Sequence, residues 1–195
     1  MIIRIWACMI FIMLTRTAIA QEKSLYDFPA PKGWQTEKIK FPINFAPAIP
    51  FAGTEDLHFT PGWSKPESDQ YWSYVFVWFL DGKVKPTTDD LAKYLEQYYT
   101  GLYMTNLGKK SKPETTFTSV SIKDNSKKGK DQYYNAEINT LDFLSGKPLK
   151  LLVRLDVRSL GHKHTAVLFQ ASPKAYGHGV WNTLSAVIDG FKVNR

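Results

Sequence analysis

The chain has 195 residues and one cysteine, with 25 Lys and Arg against 18 Asp and Glu, for a formal charge of +7. That length supports one domain with a real hydrophobic core. A single cysteine, Cys8, excludes an intrachain disulfide framework and a cysteine-ligated zinc cluster.

Arg4, the apolar run Ile5 to Leu14, and the small residues Ala18-Ile19-Ala20 before Gln21 have the order of an export leader. The apolar run is about ten residues, half of what a bilayer-spanning helix needs. Residues 1–20 are therefore read as a signal peptide cleaved between Ala20 and Gln21, and 21–195 as a single globular domain, periplasmic or secreted. No later run is long enough to predict a membrane span. Cys8 leaves with the leader, and so do Arg4 and Arg16, which lowers the formal charge by two. Much of the remaining basic excess lies at Lys109 to Lys112 and Lys123 to Lys130. These runs flank a strand expected over Thr115 to Ile122, so they project from opposite ends of it and read as solvated loops. No nucleic-acid interface is expected.

Pro29, Pro31 and Gly33 predict an irregular N-terminal arm, anchored by Tyr26 and Phe28. Glu37 to Phe41 alternates polar and apolar residues, the pattern of a half-buried strand. Pro42, Pro47 and Pro50 make the next stretch an edge or a crossing segment, because proline has no N–H for a ladder. Asp56 to Thr60 predicts a short strand closed by Pro61-Gly62. Tyr71 to Leu80 then predicts the central strand, since nine of its ten residues are apolar or aromatic and Asp81-Gly82 turns the chain after it. Trp72, Tyr74, Phe76, Trp78 and Leu80 share one parity; Val75, Val77 and Phe79 share the other. A strand apolar on both sides is normally covered twice.

Thr87 with Asp90 predicts a capping box, followed by Leu91, Tyr94, Leu95, Tyr98 and Leu102 at helical spacing. This helix ends at Gly101 or Gly108. Tyr134, Ala136, Ile138 and Thr140 alternate with polar neighbours, Ser145-Gly146 turns, and Leu149, Leu151, Val153, Leu155 and Val157 alternate back, which is a hairpin. Thr165 to Ala171 returns as a strand. Val180, Trp181, Leu184, Val187 and Ile188 give a closing amphipathic helix, with Gly190 at its C′ position and Phe191 as the contact beyond. Strands, helix, hairpins and helix in this order define an α+β fold: an antiparallel β-sheet with two main helices packed on it. Both helices are expected on one face of that sheet, leaving the polar parity of Lys150, Arg154, Asp156 and Arg158 in water.

Pro31-Lys32-Gly33-Trp34 before the first strands, a middle helix before a meander, and a last helix ending in Asp189-Gly190-Phe191 resemble the layout of PsbP-like proteins over most of the chain after the leader. The resemblance implies an α/β/α sandwich around an antiparallel sheet and a non-enzymatic, partner-binding role. It carries over no functional residue.

Candidate chemistry is sparse. His162 and His164 share a strand parity and, with His178, are the candidate metal ligands, although no carboxylate lies close to the pair in sequence and surface turn histidines explain them as well. No Gly-x-Ser-x-Gly elbow and no phosphate-binding glycine loop is present, and nothing pairs two of the carboxylates. No cofactor is expected. Trp72, Tyr74 and Trp78 are the candidate ligand-binding face, for a sugar or a lipid, set against their use as core. Lys150, Arg154, Asp156 and Arg158 are the candidate partner-docking face, set against a merely solvated sheet side. The leading expectation is an exported, non-catalytic module that binds a partner protein or an envelope assembly. The second is a small-ligand carrier, and the third an enzyme whose site is assembled from dispersed residues.

Overall fold

The structure, a computed structural model, describes residues 24–107, 118–126 and 132–194. Residues 1–20, where a leader is expected, the lysine runs at 109–112 and 127–130, and residues 115–117 of the strand expected before Ile122 lie outside the described residues. In chain order the elements are β1 (Tyr26–Asp27), β2 (Gln35–Lys40), β3 (Gly53–Phe59), β4 (Tyr74–Asp81), α1 (Thr88–Asn106), β5 (Ser119–Asp124), β6 (Gln132–Leu141), β7 (Pro148–Leu160), β8 (His164–Ser172), α2 (Val180–Asp189) and β9 (Lys192–Val193). Seven strands form one antiparallel sheet in the order β2-β3-β4-β8-β7-β6-β5, and β1 pairs with β9 beside it.

β4 lies inside this sheet between β3 and β8, and Tyr74 to Leu80 are all buried. Its two parities feed two separate cores. Phe76, Trp78 and Leu80 pack with Phe169 of β8 and with Leu91, Leu95 and Tyr98 of α1. Val75, Val77 and Phe79 pack with Leu168 of β8 and with Trp181, Leu184 and Ile188 of α2. The helices therefore cover opposite faces, and the expectation of one shared face is corrected. The physical reason is already in β4: two apolar parities need two covers, and burying each large side chain is worth roughly 1.5–3 kcal/mol. The outcome is three layers, α/β/α. The polar parity of β7 consequently faces the α2 side, where Leu152 packs against that core.

Local chemistry sets the ends of α1. Asp90 N–H donates to Thr87 Oγ1 at 3.1 Å and Thr87 N–H to Asp90 Oδ2 at 3.0 Å, the reciprocal cap read from the sequence. The helix then runs through Gly101 instead of stopping there. A Cβ at Gly101 would lie 1.8 Å from Phe45 O, so this glycine lets the 41–52 segment cross directly over the helix. At the end of α2, Gly190 has φ −74°, a right-handed conformation. It is the C-cap itself and not the C′ residue expected from the sequence, and Pro29 of the N-terminal arm packs against its α-carbon side. Phe191 does enter the second core. The arm itself is held by Tyr26, which pairs with Val193 and donates its hydroxyl to Asp56 Oδ2 at 3.1 Å.

Candidate binding site

β2 is an edge strand, and α1 crosses the sheet at a distance from it, so the end of the first core is left open. Between them lies a cleft of about 520 Å³. Its floor is the sheet: Ile39 from β2, Leu57 and Phe59 from β3, and Tyr74 from β4. Tyr98 and Leu102 of α1 and Phe45 of the crossing segment form one wall; Trp63, Trp72 and Phe143 form the other. Gln35, Thr36 and Glu37 of the edge strand, with Thr105 and Asn106 of the last helical turn, give the rim its polar groups. This size and this mixture of apolar walls with few polar groups suit a small organic ligand.

Trp72 has an unusual backbone. The residues Tyr71-Trp72-Ser73 are not the start of β4, as the apolar run suggested, but a turn in which Trp72 adopts φ +51°. A bulky residue in the left-handed region costs about 1–3 kcal/mol, so something must hold it there. Trp72 N–H donates to Trp63 O at 2.8 Å, and its indole N–H donates to Asp142 Oδ1 at 3.0 Å. Asp142 also accepts from the hydroxyls of Tyr71 and Ser145 and from Leu144 N–H. Burial pushes this carboxyl up, but the bonds from Ser145, Tyr71, Leu144 and Trp72 outweigh it and leave it below the ordinary value. The Trp72 ring then stands edge-on to Phe143 at 5.0 Å and to Trp63 at 6.4 Å. Trp63 in turn lies against Phe59 at 4.7 Å and donates to Gln35 Oε1 at 3.3 Å.

Of the predicted ligand-binding face, Trp72 and Tyr74 line the cleft, while Trp78 lies deeper in the core, fully buried, and does not. Trp78 N–H donates to Glu55 Oε1 at 3.1 Å. Glu55 is itself fully buried, its Oε2 has no hydrogen-bond partner, and burial pushes its carboxyl up to about 8 against the opposing pull of Trp78 and Tyr98. It sits across from Ile39 in the β2–β3 ladder, just under the cleft floor. Tyr74 and Tyr99 share a hydroxyl–hydroxyl bond of 2.6 Å beside it. Sequence reasoning missed Trp63, Phe143, Asp142 and Glu55. Asp142 caps its own turn through Leu144 and Ser145, but the contacts that place these residues at or beneath the cleft are made through strand register or across long stretches of chain, which no local pattern marks.

The predicted docking residues are mostly occupied within the chain. Lys150 pairs with Glu137 at 2.8 Å, and Arg158 lies 2.6 Å from Asp156. The Arg154 guanidinium stands over the rings of Tyr176 and Trp181, at 5.1 and 4.8 Å. The three histidines stand apart: His162 is exposed in the turn after Gly161, His164 stacks on Phe79 at 4.8 Å, and His178 Nδ1 accepts from Val180 N–H at 3.1 Å. Among the described residues no three His, Cys, Asp or Glu side chains are grouped to hold a metal ion, and no helix is long and apolar enough to cross a membrane.

Fold and cleft together define an α+β protein with an antiparallel sheet covered on both faces and an aromatic cleft at one end of one core. No protein-family model and no curated protein matches the chain. Among solved structures, LpqN, described as involved in cell envelope biogenesis of Mycobacterium tuberculosis, aligns with 10% identity and a TM-score of 0.33 over 87% of this chain and 83% of that one.

Proposed function

We propose that this protein is an exported binding module, without catalysis, that holds a small ligand with an apolar body in the cleft beside β2, β3 and β4. One observation carries the reading: Trp72 is kept in a left-handed backbone conformation by Asp142 and Trp63 while its side chain walls the cleft. Strain held in place at a cavity wall is pre-organisation, which lowers the entropy a ligand must give up on binding. A tryptophan needed only for the core would be placed more cheaply on the strand, as Trp78 is. Docking of a partner protein or an envelope assembly on Lys150, Arg154, Asp156 and Arg158 is the weaker reading, because those charges already have partners inside the chain. Export rests on the leader pattern of residues 1–20.

The test is native mass spectrometry of the protein purified from its host, followed by tryptophan-fluorescence titration with sugar and amphiphile panels. A co-purifying small molecule, or a saturable emission change that Trp72→Ala abolishes, supports the reading. No bound molecule and a flat response to every probe would overturn it.

A further inference from the structure

The geometry points to a ligand whose apolar body ends in a cationic head group, such as an alkylammonium, with Glu37 as its counter-charge at the cleft rim. This deepens the binding reading above and rests on it.

The pleat of β2 sorts its charges. Gln35, Glu37 and Ile39 project to the cleft side, opposite Phe59, Leu57 and Glu55, whereas Lys38 and Lys40 project to the other side. Lys38 is occupied there, 3.2 Å from Asp56 and 5.1 Å from the Tyr26 ring. Glu37 is exposed and, among the described residues, has no ion pair and is the one charged side chain that lines the cleft. Among the described residues no Lys, Arg or His lines it. Trp63, Trp72 and Phe59 in the walls supply the rings against which the apolar body would pack. The full sequence carries +7, and two charges fewer without residues 1–20, so unspecific attraction would favour anions. A cleft free of described basic side chains on a basic protein is selective for the opposite class of ligand.

The experiment titrates the purified protein with three probes of equal ten-carbon chain, all below their micelle-forming concentrations: decyltrimethylammonium, decyl glycerol ether and decanoate. Tryptophan emission and calorimetry give the dissociation constants. The ammonium is expected to bind tightest, by roughly fivefold or more over the ether. Glu37→Gln should bring that ratio towards one, while Lys38→Gln, on the opposite side of the strand, should leave the ratio as it is. Binding of decanoate or the ether as tight as that of the ammonium overturns the charge preference and leaves the cleft a binding site. So does a ratio that Glu37→Gln does not change. Binding of none of the three overturns the preference together with the binding role.

Discussion

Trp78 and Glu55 face each other across adjacent strands, the indole N–H donating to the carboxyl Oε1 at 3.1 Å in a site that both residues share with no water-accessible surface. The carboxyl has its second oxygen unpartnered, and burial is the reason it keeps its proton up to about 8. The sign of the resulting pH dependence follows. An unfolded chain releases this proton near the ordinary 4.5, whereas the folded chain holds it to about 8, so stability is full below the first value and falls as pH rises through the second. Glu55→Gln keeps an acceptor for Trp78 and cannot ionise. Thermal melts at several pH values should show the parent losing midpoint relative to Glu55→Gln across that window. Parallel curves for the two proteins would mean that the folded state does not hold the proton.

Asp142 works in the opposite direction. Its carboxyl lies below its ordinary value, so its contribution is present at neutral pH and is lost as pH falls through the folded-state value. Asp142→Ala removes the acceptor of the Trp72 indole and the Tyr71 hydroxyl, and should cost about 2–4 kcal/mol in denaturant unfolding. The near-ultraviolet circular dichroism of the tryptophans should change with it, because Trp72 loses the bond that fixes its ring. An unchanged spectrum would show that the backbone alone places Trp72.

Gly101 offers a test of packing against propensity. In an exposed helix interior alanine is better than glycine by about 1 kcal/mol. Here the carbonyl of Phe45 occupies the place of the missing Cβ. Gly101→Ala should therefore destabilise, by about 1–3 kcal/mol, and should disturb the cleft because Phe45 is part of its wall. A stabilised variant would show that the 41–52 segment gives way freely.

The polar side of β7 separates two kinds of charge. Lys150→Ala should leave the melting midpoint where it is, since the pair with Glu137 is exposed and screened. Arg154→Ala removes a guanidinium that covers Trp181 and Tyr176, and should cost about 1–2 kcal/mol. Equal midpoints for the two variants would mean that the ring contacts of Arg154 carry no weight.

Short-range patterns determined much of this protein. The double apolar parity of β4, the Thr87–Asp90 cap, the alternation that registers Ile138 with Leu151 and Ala136 with Val153, and the amphipathic stripe of α2 are all written in neighbouring residues. Each depends on a period or a spacing of a few positions, which the local backbone geometry converts directly into structure. Tyr74 takes its place from the strand parity, whereas Trp72 reaches the cleft from a turn that the apolar run did not predict. What only the tertiary structure decided was which face each helix covers, where α1 stops short of the edge strand, and which distant residues meet in the gap. Asp142 reaches Trp72 over seventy positions, and Trp63 reaches Gln35 over twenty-eight. Such pairs are set by strand order and by where the crossing segment packs. No local periodicity encodes them, so the cleft came into view only when the sheet was assembled.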